Sequence, residues 1–199
     1  MKEAEALNMV KEKLAAGEDP LKILETCRKG VEVVGKRFEN KEYFLPDLIM
    51  ASEILKEISE IIRPEIKKAG EVKRLGKVVI GTVQGDMHDI GKNIVVMLLR
   101  SNGWEVTDLG VDVPPEDFCA AVAKGNYQIV GMSALLTTTM SVVKDTIEAL
   151  KAAGLRDKVK VMVGGAPMTQ GWATRAGADG YASDGVEAVI VAEALIRKE

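Results

Sequence analysis

The order of apolar and polar positions changes period once along the chain. Up to about residue 70, apolar residues recur at helical spacing. Leu7, Val10 and Leu14 form one stripe, and Gly17 follows as a stop. Asp19-Pro20 reads as an N-cap with proline at the first helical position. Leu21, Leu24, Cys27, Val31 and Val34 mark a second helix. Leu48, Ala51, Leu55, Ile58 and Ile62 mark a third, opened by Pro46-Asp47. Pro64 is expected to kink it or to start a short helix ending at Gly70. Short helices joined by brief turns predict an antiparallel bundle over 1–72, with the charged stretch 71–76 as a linker. The segment 43–48 suits an apolar lid, but Phe44, Leu45 and Met50 are expected in the bundle core.

Beyond that point the pattern alternates. Residues 77–83, KVVIGTV, form a continuous apolar run, as in a strand buried on both faces. Further strands are predicted over 104–110, 128–134, 158–165 and 180–183. Helices are predicted over 92–101, from 114, and over 138–153, 168–176 and 186–197. Repeated β-α units predict an α/β domain over 73–199, a doubly wound, five-stranded parallel sheet of flavodoxin or Rossmann-like type. Such sheets bind ligands beyond the carboxyl ends of the strands, where strand order reverses. The loops 84–91, 110–115, 134–139, 164–168 and 183–186 are therefore the functional candidates.

Charge narrows the classes of partner. The 27 basic and 30 acidic residues leave a net charge of −3, which argues against a broad nucleic-acid surface. No apolar run approaches the roughly 20 residues of a membrane span, and the first residues do not read as a leader. A cytoplasmic protein is expected. Cys27 and Cys119 lack C-x-x-C spacing and are expected to be buried free thiols in a reducing compartment.

The chemistry converges on one loop. His88 is the only histidine, and it follows the first strand of the sheet. Asp86, two residues earlier, can take one ring nitrogen and aim the other outward. A zinc site needs three or four protein ligands, which this loop does not offer. A single protein ligand makes sense where a macrocycle fills the equatorial positions. Gly85 and Gly91 bracket the loop and permit backbone close to a bulky ligand.

Asp86-Met87-His88-Asp89-Ile90-Gly91 matches the D-x-H-x-x-G signature of cobalamin (B12)-binding domains. Ser133-Ala134-Leu135 matches their S-x-L element, and Gly164-Gly165 their GG element. With the helical N-terminal region, the whole chain resembles the cognate corrinoid proteins of methyltransferase systems. It is similar to the cobalamin-binding module of methionine synthase.

The resemblance implies a cobalamin cofactor whose own base is displaced by His88 as lower axial cobalt ligand. It makes Asp86 the hydrogen-bond partner of His88 and Ser133 the end of a proton relay. It implies that Gly164 and Gly165 let the nucleotide tail pass, that Thr137 and Thr138 bond the tail or cap the next helix, and that the 181–184 segment, with Ala182 and Asp184, closes the slot. The implied activity is methyl carriage through Co(I) and methyl-Co(III), by a non-catalytic subunit with a helical cap. Its partners would be a substrate-specific methyltransferase, a second methyltransferase to a pterin or thiol, and a reductive activator. The alternative is the cobalamin subunit of an adenosylcobalamin-dependent mutase, which usually lacks the helical cap. A cobalamin-based sensor would need an added domain, and a flavodoxin-like domain without corrinoid would leave the three motifs unexplained.

Overall fold

The computed structural model describes residues 3–67 and 75–197, apart from the side chains of Glu32, Glu39, Leu48 and Ser101. The chain divides into two compact units, Met1–Glu71 and Val72–Glu199.

The first unit holds three helices, α1 (Glu3–Ala15), α2 (Pro20–Glu39) and α3 (Leu45–Lys67). Asp19 caps α2, its carboxylate accepting from the Leu21 N–H at 2.9 Å, and Pro20 takes the first turn. Val10, Ile23, Leu24, Ala51, Leu55, Ile58 and Ile62 are buried together in this unit's apolar interior. The described part of the α3 stripe, Ala51, Leu55, Ile58 and Ile62, is therefore as expected, while the α2 face is shifted: Ile23 joins Leu24, and Leu21, Cys27, Val31 and Val34 are only partly buried. Helix α3 runs on through Pro64 to Lys67, so no separate short helix starts at that proline. Gly70 and most of the expected linker, up to residue 74, lie outside the described residues. Phe44, Leu45 and Met50 are 72%, 56% and 41% exposed and are not bundle core. Phe44 immediately precedes α3, and Leu45 and Met50 lie in its first two turns, ahead of the Ala51, Leu55, Ile58 and Ile62 stripe.

The second unit is a five-stranded, all-parallel sheet: β1 (Gly76–Thr82), β2 (Trp104–Asp108), β3 (Ile129–Ser133), β4 (Lys160–Gly164) and β5 (Gly180–Ala182). The helices between strands are α4 (Ile90–Ser101), α5 (Pro115–Lys124), α6 (Met140–Ala152), α7 (Gln170–Ala176) and α8 (Gly185–Ile196). The spatial order is β2-β1-β3-β4-β5. Val79, Val130, Val161 and Val163 face a core shared with Phe118, Val143 and Ile147 of α5 and α6. Val78, Ile80, Ile129 and Met162 face the other core, with Val96, Leu99, Ala188 and Ala192 of α4 and α8. Burial on both faces explains why these strands read as unbroken apolar runs. The chain leaves β1 toward β2 and returns to β3 on the other side, so the crevice between the carboxyl ends of β1 and β3 is the switch point.

Both cysteines are free, and each is partly rather than fully buried. Burial raises both thiols above their ordinary pKa, and Glu116 adds to this at Cys119. Among the described residues no helix is long and apolar enough to cross a membrane.

Candidate functional site

The loops after β1 and β3 meet at that crevice. The first leaves β1 as Val83-Gln84-Gly85, with Gly85 at φ +82°, a region that favours glycine. It then turns through Asp86 and His88 into α4. The Asp86 residue is wholly buried, whereas the His88 side chain is half exposed.

Asp86 is the hub. Its Oδ1 accepts from the His88 N–H at 3.1 Å and lies 2.6 Å from His88 Nδ1. Its Oδ2 accepts from the N–H groups of Leu135 and Leu136, at 2.7 and 3.1 Å, and from the Thr139 hydroxyl at 2.9 Å. Burial alone would favour the neutral acid. The hydrogen bonds from the His88 ring and from the N–H groups of Leu135, His88 and Leu136 outweigh it and lower the carboxyl from 3.8 to about 2. Asp86 is therefore ionised at neutral pH. An ionised carboxylate on Nδ1 keeps the proton there and leaves the Nε2 lone pair free. The Thr82 hydroxyl donates to the His88 carbonyl at 2.9 Å, fixing the loop's far side.

Ser133 is not part of this cluster. It ends β3, its carbonyl accepts from Val83 N–H at 3.0 Å, and its hydroxyl makes no hydrogen bond to Asp86. The hydroxyl on Asp86 belongs to Thr139, which corrects the sequence expectation. The physical reason is the turn at 136–139. It carries Thr137 and Thr138 outward, both exposed, and swings Thr139 back inside. Nor do Thr137 and Thr138 cap α6: its N-cap position is Thr139, whose hydroxyl is spent on Asp86 and the Leu136 carbonyl.

The remaining candidates lie around this centre. Met87 and Leu135 are 68% and 42% exposed at the crevice mouth, and Gly91 has open space where a Cβ would point. Ile90 begins α4 and is half-buried, and Asp89 accepts from the Asn93 amide at 3.0 Å. Gly164 ends β4, beside Ser133 of β3, and Gly165 follows it. The space a side chain would fill there is already taken: a Cβ on Gly164 would approach the Ala182 carbonyl, and one on Gly165 would overlap the Ala134 carbonyl. Gly165 also stands at φ +137°. Close chain approach therefore accounts for both glycines. Ala182 is buried at the end of β5. Asp184 caps α8, accepting from Val186 and Glu187 N–H at 2.9 and 2.8 Å.

The structure adds two features with no clear sequence signal. Lys92, its side chain only 2% exposed, bonds both Asp108 oxygens at 2.6 Å and ties the start of α4 to the end of β2. Asp112 bonds the His88 loop from the other side. Buried charge on an α/β unit is visible in sequence only as composition, because the pairing is set by strand register. Among the described residues no group of three or more His, Cys, Asp or Glu is placed to hold a metal ion.

Comparison with known proteins identifies what the chain is similar to. A family model described as B12 binding domain matches residues 76–190, and a second of the same description matches residues 1–63. The chain is 46% identical over 179 residues to a dimethylamine corrinoid protein of Methanosarcina acetivorans, covering 89% of this chain and 83% of that one. It is 44% identical over 193 residues to a trimethylamine corrinoid protein of the same organism, covering 96% and 89%. The solved monomethylamine corrinoid protein of Methanosarcina barkeri superposes with a TM-score of 0.87 at 37% identity, over 95% of this chain and 90% of that chain. A chain in the methanol:cobalamin methyltransferase complex of the same organism is similar with a TM-score of 0.58 at 32% identity, over 98% and 74%.

Proposed function

Since the chain belongs to the B12-binding corrinoid proteins, and its cofactor is thus a corrinoid, we propose that it carries methyl groups between two partner methyltransferases. The observation behind this reading is the Asp86–His88 pair: a wholly buried carboxylate 2.6 Å from a half-exposed imidazole at the switch point. The donor set suits the cofactor. One aimed nitrogen is offered, and the other positions of a corrinoid's cobalt are filled by its own ring and upper ligand. When bound, the cobalt supplies the centre that accepts and releases the methyl group.

The chain's own residues hold and tune that centre. His88 Nε2 takes the lower axial place of the cofactor's base. Asp86 orients the ring and holds the proton on Nδ1. Thr139, rather than Ser133, completes the relay. A proton taken up when the imidazole is free sits on His88 Nε2, because Asp86 is saturated with donors and a poor base. Met87, Leu135 and Leu136 offer apolar surface to the corrin. Gly85, Asp89, Ile90 and Gly91 form the rest of the lower loop. The crevice by Gly164, Gly165, Thr137, Thr138, Ala182 and Asp184 receives the nucleotide tail.

The helical region, residues 1–72, acts as the cap domain, and residues 73–199 as the corrinoid domain. The methyl donor's methyltransferase is the first partner, and a methylamine is the donor class to test first, given the named relatives. A second methyltransferase to a pterin or thiol and a reductive activator complete the system, in the cytoplasm. The chain is a carrier and not itself an enzyme.

The test is an absorbance titration of apoprotein with hydroxocobalamin and then methylcobalamin, for wild type and His88→Ala. Stoichiometric binding with different axial-ligand bands in the two proteins is expected. No binding by wild type would overturn the reading, and identical spectra would remove His88 from cobalt. In the same assay Thr139→Val should weaken binding about 10-fold, the usual scale for an outer-shell partner, while Ser133→Ala should not.

A further inference from the structure

Among the described residues, two that are not glycine stand at positive φ, Lys41 at 63° and Asp112 at 53°. Lys41 follows the C-cap of α2, where a left-handed residue is an ordinary way to end a helix. Asp112 ends no helix. It lies in the loop between β2 and α5, beside the loop that carries His88. A left-handed conformation away from a helix end persists only where the surroundings hold it, and such positions gather at functional sites.

What holds Asp112 is a reciprocal pair of hydrogen bonds. Its carboxylate Oδ1 accepts from the Gly85 N–H at 2.7 Å. Its own N–H donates to the Asp86 carbonyl at 3.1 Å. On either side the two chains run together: Thr82 N–H donates to the Gly110 carbonyl and Val113 N–H to the Thr82 carbonyl, each at 3.0 Å. Asp86 is thus gripped twice. The loop after β3 grips its carboxylate, and Asp112 grips its backbone. The carboxylate grip sets which way the His88 ring faces. The backbone grip sets where along the crevice the ring stands.

We propose that Asp112 is a positioning residue for corrinoid ligation: it holds the Gly85–Asp86 turn so that His88 reaches cobalt without local rearrangement. This rests on the reading of His88 as the axial ligand. Asp112 need not touch the cofactor. It acts through Gly85 and Asp86, and the left-handed backbone is what brings its N–H and its carboxylate to bear on that turn together.

The substitutions separate the hydrogen bond from the backbone strain. Asp112→Asn keeps an oxygen acceptor and a residue tolerant of the left-handed region. Asp112→Ala loses the acceptor and keeps the strain, and Asp112→Gly loses the acceptor and relieves the strain. The full chain would be titrated with hydroxocobalamin, reading affinity and axial-ligand bands, with His88→Ala as reference and urea unfolding of each apoprotein. Asp112→Ala and Asp112→Gly should each bind about 10-fold more weakly and lose intensity in the imidazole-ligated bands, with Asp112→Asn within about threefold of wild type. If Asp112→Ala fails to fold, Asp112→Gly carries the test.

Wild-type affinity and spectrum in Asp112→Gly, beside an altered His88→Ala, would overturn the proposal. So would losses that simply follow the urea midpoints with the bands unchanged. An unaltered spectrum in His88→Ala would instead bring down the axial-ligand reading, and the positioning role with it.

Discussion

The two ends of the sheet use charge differently. At the amino end, Lys77 and Glu105 pair across β1 and β2 at 2.8 Å, with both side chains about half exposed. Arg156 and Asp179 pair at 2.7 Å further along, largely buried at 16% and 22% exposure, and Asp179 also accepts from Val161 N–H and so helps to seat β4. At the carboxyl end, Lys92 and Asp86 are withdrawn from water almost completely. There the partners come from different loops and converge: three N–H groups, a hydroxyl and an imidazole reach one carboxylate. Exposed pairs need little from their surroundings and contribute little. Buried ones require satisfied partners, and removing one partner leaves a charge or a donor stranded. The amino end thus joins strands, while the carboxyl end fixes the direction of one imidazole.

Substitutions at the two ends should give graded losses. Asp86→Ala strands the donors of two loops, those after β1 and β3, and should cost about 4 kcal/mol of stability, read by urea unfolding of the apoprotein. Asp86 also predicts a pH dependence with a definite sign. Its carboxyl falls from 3.8 to about 2 on folding, so it stabilises the fold fully above about pH 4 and loses that contribution as pH falls toward 2. The difference amounts to about 2 kcal/mol, and the unfolding free energy of Asp86→Asn should lack this part of the acid slope.

Lys92→Met removes one half of the buried pair with Asp108. It should cost about 3 kcal/mol, at the low end for buried pairs because Asp108 keeps some contact with solvent. Lys77→Ala, at the amino end, should cost less than about 1 kcal/mol, and less still at high salt. Equal losses for Lys77→Ala and Lys92→Met would erase the distinction between the ends.

Much of this arrangement is legible in the chain itself. The apolar runs at 77–83 and 128–134 locate β1 and β3 to within a residue or two, since strands buried on both faces have little else to be made of. His88 and Asp86 are visible because the pair is local, two residues apart on one turn. Thr139 was hidden behind its neighbours. Three threonines stand in a row, and only the turn decides which points inward. Asp112 and the Lys92–Asp108 pair were hidden for a different reason: their partners are remote in sequence and meet only once β2 lies beside β1. The exposed start of α3 misled because helical periodicity reports an apolar residue without saying whether a neighbour covers it.

The central claim is that His88 supplies the protein's bond to cobalt, and the chain's single histidine makes it directly testable. The full chain would be prepared with nitrogen-15 histidine, loaded with cobalamin and reduced to Co(II), and its electron paramagnetic resonance spectrum compared with that of the unlabelled protein. An axial nitrogen-14 splits each cobalt line into three, and an axial nitrogen-15 into two. The account predicts that labelling converts triplets to doublets. Triplets that persist in the labelled protein would mean that the cofactor's own base holds the cobalt, and would contradict the account.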